Sequence, residues 1–333
     1  MNNRFSKLVQ EFLTTYIISE CNYSMNTKSS YAVTFHLLLE FMNEIKNIKP
    51  NKIEIETTTK DVIVQFLDWL ETNRFVSIST RNQRLACLKS FYKYVQSNEP
   101  DLFDTCSLIL SIKNKKVPNK MISYFSEAEI KIMINYLNKN NNIKLLTMIC
   151  VLYETGARVS ELINIKLEDI TLNNTPYIIL HGKGNKTRSV PISKDVSNIL
   201  KTYLSRFSIN NQNDYILKNR LNEKITRDGV QYIIDTYIEK AKEKYPNLYN
   251  KKITNHSFRH SKAMHLLEAG VNLVYIRDIL GHKSITTTEV YAKTNPEIKR
   301  KAIEDNSQSI KVNDKYGIEN KNDLLNWLKN YVE

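Results

Sequence analysis

Apolar positions recur with a helical period through the first hundred residues. Behind Ser24, the residues Tyr31, Phe35, Leu38, Leu39 and Met42 fall on one helix face. Behind Thr57–Thr59, the residues Val62, Phe66, Trp69 and Leu70 do the same. A first helix near Phe5 to Ser19 and a fourth over Thr80 to Tyr94, striped by Leu85, Leu88, Phe91 and Tyr92, make four helices over residues 1–97. The other face of the fourth presents Arg81, Arg84, Lys89 and Lys93. From Ser97 to about Ser123 the period is lost, and Pro100, Lys113, Lys115, Lys116 and Pro118 read as a basic connector over 98–123. Periodicity resumes at Ser126, which with Glu129 has the form of a capping box. Leu145 to Tyr153 reads as a buried helix ending at Thr155-Gly156, and Asp195–Tyr203 and Gly229–Lys242 as further helices. Alternation replaces helical spacing in Tyr177–Leu180 and Thr187–Pro191, two short strands around the glycine-rich tip His181-Gly-Lys-Gly-Asn-Lys186. Late in the chain come a helix over Phe258–Ala269 stopped by Gly270, and a short one over Leu273–Leu280 stopped by Gly281. A third begins behind Ser284. The class is mainly α with a small sheet, and 333 residues suit about two domains.

Charge adds a partner class. Lys and Arg outnumber Asp and Glu by 48 to 35, a formal +13, which favours a polyanion without requiring one. The basic face of the fourth helix is then either solvated surface or a phosphate-binding face. Thr27, Lys28, Thr80 and Arg81 stand at helix starts, where side chains and backbone N–H groups commonly meet DNA phosphates. No run of about 18 apolar residues occurs and the N-terminus lacks a charged-then-apolar leader, so a soluble, cytoplasmic protein is expected. Cys21, Cys87, Cys106 and Cys150 are scattered without a C-x-x-C pair; reduced, mostly buried thiols are expected. The Gly-Lys-Gly turn lacks the phosphate-loop pattern, and no helix follows it.

The chemistry-bearing residues concentrate late in the chain. Four of the six histidines lie between His256 and His282. His256 and Arg259 sit at a helix N-terminus, where N–H groups and the dipole favour an anion. His282 follows the glycine stop and Tyr291 comes nine residues later, so two short turns can gather all four side chains around one phosphate. Upstream stands Gly156-Ala-Arg158-Val-Ser-Glu161-Leu162. Alone, Arg158 is an ordinary surface arginine and Glu161 an exposed first-turn glutamate. His256 and His260, at i,i+4, have zinc-ligand spacing, but no third ligand is near in sequence.

Taken together, His-x-x-Arg-His, Leu-Gly-His and Tyr291 resemble the catalytic half of the tyrosine recombinases, or phage-type integrases, most closely their XerC/XerD-like branch. Gly-x-Arg-x-Ser-Glu-Leu and the Lys183 hairpin match the same family. The resemblance implies an N-terminal four-helix, SAM-like core-binding domain over 1–97 that clamps DNA. It implies a mostly helical catalytic domain with a small sheet over 124–300. It assigns Tyr291 as nucleophile and Arg158 and Arg259 as phosphate-binding arginines. Lys183 becomes the acid for the leaving 5′ oxygen, with His256 and His282 on the tyrosine proton or phosphate oxygens and Glu161 steadying the site. Lys186 and Arg188 are expected on DNA phosphate. Partners implied are double-stranded DNA with a recombination site, a synaptic tetramer of this chain, and accessory recombination proteins; neither cofactor nor metal is expected. The reaction implied is site-specific strand exchange through a 3′-phosphotyrosyl link and a Holliday junction. A type IB-like topoisomerase shares that chemistry, and a non-catalytic DNA-binding adaptor is the alternative of another class. Residues 301–333, with Leu324, Leu325 and Leu328 on one side and Trp327 adjacent, look like the tail of transposon-borne relatives. That tail either packs on its own domain or docks on a neighbouring protomer.

Overall fold

The computed structural model describes residues 3–118, 122–182, 186–246, 253–294, 300 and 327–331. The chain forms two compact units, Met1–Lys120 and Met121–Glu333.

In the first unit, α1 (Arg4–Glu11) continues into a π-helical stretch, Phe12–Glu20. α2 (Met25–Glu44), α3 (Lys60–Thr72), α4 (Ile78–Asn98) and α5 (Phe103–Leu110) follow. Ser24, Thr59 and Ser77 cap α2, α3 and α4 through their side-chain oxygens. The core centres on Phe12, whose ring stacks on Tyr31 at 5.8 Å and meets Phe91 edge-on at 5.4 Å. Tyr92, fully buried, satisfies its hydroxyl by donating to Thr58 Oγ1 at 2.6 Å.

Two expectations change here. The segment read as connector from residue 98 instead contributes α5, whose Cys106 and Ile109 join Leu102 and Ile112 in the N-terminal core. Pro100 misleads because it opens a 3₁₀ turn, where a missing N–H costs nothing, rather than breaking a helix. The second change concerns the basic face of α4. Arg81 lies four residues before Leu85, on the same stripe as Leu88, Tyr92 and Val95, and is 3% exposed, its Nε 3.4 Å from Glu71. Arg84 turns inward as well, donating to Ser30 O at 2.9 Å and Thr34 Oγ1 at 3.1 Å. Lys93 is exposed and Lys89 half-buried. At the helix starts, Thr27 and Thr80 share hydrogen bonds with the capping Ser24 and Ser77 hydroxyls at 3.0 Å, and Lys28 is half-buried.

The second unit opens with α6 (Glu127–Lys139), its capping box formed by Ser126 and Glu129. α7 (Ile143–Thr155) is the core helix, with Met148, Ile149, Val151 and Leu152 buried, and it stops at Gly156 in the left-handed conformation, φ +59°. After the single turn α8 (Val159–Leu162) comes an antiparallel sheet in the order β1 (Ile170–Thr171), β2 (Tyr177–His181), β3 (Thr187–Pro191). The register pairs Ile178 with Val190, and the alternation puts Ile178, Leu180 and Val190 into the same core as the buried residues of α7 and α9 (Lys194–Arg206). α10 (Arg227–Lys244), α11 (Asn255–Glu268), α12 (Leu273–Leu280) and α13 (Thr286–Thr294) complete the unit. A smaller cluster of Ala263, Met264, Leu267, Ile276, Leu280 and Tyr291 joins α11, α12 and α13. Of the tail only 327–331 are described, helical over 327–330 with Trp327, Leu328 and Tyr331 exposed; Leu324 and Leu325 lie outside the described residues. No described helix is long and apolar enough to cross a membrane.

Candidate active site

The site is assembled on the C-terminal end of α12. Gly281 takes φ +65°, its N–H bonds Asp278 O at 3.1 Å and the His282 N–H bonds Arg277 O at 3.0 Å, a Schellman ending. The last carbonyls of a helix lack partners within it and carry its negative dipole end. Here the carbonyls of the last two helical residues and of the left-handed glycine after them each receive a different arginine. Arg188 Nε donates to Ile279 O at 2.8 Å, Arg259 Nη2 to Leu280 O at 2.7 Å, and Arg158 Nη2 to Gly281 O at 3.4 Å. Arg259 is 3% exposed, and its Nη1 also donates to Gly156 O at 2.7 Å, beyond the end of α7. Burial, reinforced by the Arg158 charge, lowers the Arg259 pKa to about 10, so it stays protonated at neutral pH.

Glu161, 2% exposed, ties these cations together. Its carboxylate accepts from the Arg158 backbone N–H and Nη1, both at 2.8 Å, and from Arg188 Nη1 at 3.0 Å and Nη2 at 2.8 Å. Burial pushes its pKa up, but the bonds from Arg188 and Arg158 outweigh that and hold it below the ordinary carboxylate value. Glu161 is therefore a buried ionic hub rather than an exposed first-turn glutamate. Arg188, expected on DNA phosphate, is instead a strut from β3 to α8 and α12. Only a buried carboxylate distant in sequence explains that, and no local pattern announces it.

α11 begins three residues earlier than expected, at Asn255, because Thr254 and Ser257 close its first turn: the Thr254 N–H donates to Ser257 Oγ at 3.0 Å. His256 thus lies in the first turn, exposed, with its pKa lowered by desolvation and by Arg259 and Arg158. One turn on, His260 shares a hydrogen bond between its Nδ1 and the Tyr291 hydroxyl at 2.9 Å. Desolvation, then His256 and Arg259, lower the His260 pKa to about 4. His282 Nδ1 meets Thr288 Oγ1 at 2.9 Å, and its ring lies nearly parallel to Tyr291 with centroids 6.4 Å apart. Desolvation, followed by the Arg259 and Arg158 charges, lowers its pKa to about 4 as well. When Nδ1 accepts from Thr288, the neutral ring keeps Nε2–H as a donor. Tyr291, 4% exposed, has its pKa raised by burial, against which the Arg259 and Arg158 charges pull it down.

Arg158, Glu161, His256, Arg259, His282 and Tyr291 thus converge. Lys183 lies outside the described residues, and Lys186 is exposed beside that gap. His260 and Thr288 were not anticipated as site residues. In the sequence His260 closes the His-x-x-Arg-His motif and has zinc-ligand spacing from His256; among the described residues no three His, Cys, Asp or Glu side chains group to hold a metal. The i,i+4 spacing from His256 was the available signal for His260.

Comparison with known proteins gives this arrangement a lineage. The Phage integrase family matches residues 123–297, and the Phage integrase, N-terminal SAM-like domain matches 9–99. The tyrosine recombinase XerA of Pyrococcus furiosus is 30% identical over 300 residues, covering 90% of this chain and 93% of that protein. The putative integrase/recombinase y4rC of Sinorhizobium fredii is 28% identical over 298 residues, covering 89% and 90%. In fold, the chain resembles the XerH recombinase bound to a palindromic difH substrate, at TM-score 0.66 and 20% identity over 89% of this chain and 83% of that one. It also resembles the Tn1549 transposon integrase in complex with transposon right end DNA, at TM-score 0.69 and 16% identity over 90% and 99%. A SAM-like helical unit, a catalytic unit that buries its arginines on helix ends, and a tyrosine set among histidines place this chain in the phage integrase family, the tyrosine recombinases.

Proposed function

We propose that this protein is a site-specific DNA recombinase in which Tyr291 is the nucleophile. The observation that carries the assignment is Tyr291 held within the electrostatic reach of Arg259 and Arg158, its hydroxyl bonded to an imidazole. Tyr291 Oη attacks the scissile phosphorus, the P–O5′ bond breaks, and a 3′-phosphotyrosyl link stores the bond energy for religation. Strands are exchanged between two duplexes, held by copies of this chain, through a Holliday junction. The donors that Arg158 and Arg259 do not spend on Glu161 and the carbonyls grip the non-bridging oxygens, where charge grows in the transition state. His282 adds a donor through Nε2, His256 offers another at the N-terminus of α11, and Lys183 supplies the proton to the 5′ oxygen. Residues 1–97 serve as the clamp on the duplex, with Lys89, Lys93 and Lys28 toward phosphate, and residues 124–300 carry the chemistry.

The test uses a duplex selected by gel shift from a random-sequence library and nicked so that the cleaved 5′ end diffuses away. The wild-type protein accumulates a covalent adduct; Tyr291→Phe binds equally and forms none. An adduct in that variant would move the nucleophile elsewhere, with exposed Tyr275 the first suspect. Relaxation of any supercoiled plasmid would indicate a topoisomerase, whereas a recombinase acts on the selected site in pairs.

A further inference from the structure

We propose that His260, rather than His256, is the group that takes the Tyr291 proton when the phosphotyrosyl link forms, and returns it on religation. This rests on the recombinase reading above. Its basis is contact: His260 Nδ1 stands 2.9 Å from Tyr291 Oη, with ring centroids 5.7 Å apart. The His256 ring lies one turn back along α11, its centroid 6.1 Å from that of His260, at the helix mouth where an anion binds. The two histidines therefore divide the work, His256 on the phosphate and His260 on the nucleophile.

The charged surroundings of His260 fit an acceptor. His256 and Arg259 face it along α11, and His282 from the loop after α12. In the free protein burial, followed by His256 and Arg259, lowers its pKa to about 4, so at neutral pH the ring is uncharged and in its Nε2–H tautomer offers the Nδ1 lone pair to the Tyr291 hydroxyl. A bound phosphodiester brings negative charge into the same cluster and offsets Arg259 and Arg158, raising the basicity of His260 when the proton must move. In the step itself the Oη–H bond breaks and the proton passes to Nδ1, giving an imidazolium. The Oη–P bond forms and the P–O5′ bond breaks, with the 5′ oxygen protonated by the separate acid. Religation reverses each transfer.

Three variants of the full-length chain separate a base from a clamp. His260→Ala removes both the contact and the acceptor. His260→Asn keeps a side-chain oxygen close to the position of Nδ1 but cannot take the proton. His256→Ala leaves the contact in place. On the nicked duplex, with DNA binding checked by gel shift, His260→Ala and His260→Asn should each slow adduct formation ~10²–10⁴-fold, the usual worth of a general base. Their residual rate should climb about tenfold per pH unit toward the tyrosine pKa, because only pre-ionised tyrosine then reacts, while the wild type stays flat over that alkaline range. Replacing the bridging 5′ oxygen by sulfur, a leaving group that needs no proton, should not rescue them. Wild-type rate in His260→Asn would reduce His260 to a positioning contact. Faster cleavage in His260→Ala would make it a latch on the tyrosine, and a steeper loss in His256→Ala with a new alkaline slope would return the role to His256. Each of these overturns the proposal while leaving the wild-type adduct, and so the recombinase reading, intact. Absence of any wild-type adduct would instead sink that reading.

Discussion

Replacing Arg188 with alanine tests whether the site is held together by its buried ions. In the folded chain Arg188 contributes two of the four hydrogen bonds on the Glu161 carboxylate, at 3.0 and 2.8 Å, and a third bond at 2.8 Å to Ile279 O. The Arg188 side chain is 13% exposed and that of Glu161 2%, so neither charge is well hydrated. Breaking a buried pair by removing one partner costs ~3–5 kcal/mol, because the remaining charge stays buried. Arg158 still holds Glu161 through its backbone N–H and Nη1, so about 3 kcal/mol, the lower end of that range, is expected. A loss of this size leaves a domain of typical stability, about 5–15 kcal/mol, folded but weakened. The sign with pH follows from Glu161. Its folded pKa is depressed, so its stabilisation is present above the ordinary carboxylate pKa and disappears as pH falls through the folded value. Without Arg188, burial dominates and that pKa moves up. The deficit of the variant should therefore be largest near neutrality and shrink once both proteins protonate Glu161 in acid. Urea unfolding of the wild type, Arg188→Ala, Glu161→Gln and the double variant, at pH 7 and in mild acid, reads this directly. The double variant should cost well under the sum of the singles. An unchanged urea midpoint in Arg188→Ala, with a salt dependence of DNA binding reduced by about one counterion, would show that Arg188 is a phosphate contact after all.

Two further outcomes follow from the same geometry. Arg158→Lys and Arg259→Lys should each lower cleavage of the nicked duplex ~10²–10³-fold, the loss expected for a transition-state donor, with gel-shift affinity changing far less. Lys89→Ala with Lys93→Ala should weaken DNA binding and flatten its dependence on salt, whereas Arg81→Ala, which removes a 3% exposed side chain beside Glu71, should lower the urea midpoint.

What could be read from the chain divides by distance along it. The glycine stops at Gly156 and Gly281, the capping box of Ser126 and Glu129, and both strands of the hairpin are local, and each stands where its residues indicate. The clustering of His256, Arg259, His282 and Tyr291 is legible from their short spacing, whereas Arg158 joins them only through the family resemblance. Arg81 shares the local stripe of Leu85 and Leu88, yet its charge points to the outer face until Glu71, the partner that lets it be buried, is brought beside it by the fold. α5 escaped because Pro100 and the lysines after it read as breaks and no glycine marks its end, whereas α12, of the same eight-residue length, is closed by Gly281. The partners of Arg188 and His260 are hidden for a different reason. They lie far away in sequence, Glu161 27 positions and Ile279 91 positions from Arg188, and Tyr291 31 positions from His260. A side chain's role in such a site is decided by the fold that brings its partner near, and sequence spacing does not encode it.

If the arginines are the phosphate site proposed above, their placement explains how so cationic a cluster can exist before DNA arrives. Three guanidiniums gathered at one place repel one another, and burial penalises each; Arg259 loses basicity to both effects. The repulsion is offset by groups whose charge cannot be titrated away: the carbonyls of Ile279 and Leu280 at the negative end of α12, and that of Gly281 just past it. Glu161 supplies a full counter-charge; on the proposed reading, the two positive charges that remain match the one a phosphodiester carries and the one it gains when Tyr291 attacks. Donors anchored this way need no reorganisation when charge develops, which is the condition under which they lower a barrier most. The same demand fixes Gly281. A side chain there would place a Cβ 2.8 Å from Arg188 Nη1 on a backbone of φ +65°, so the residue ending α12 must be small for the strut beside it to reach Glu161.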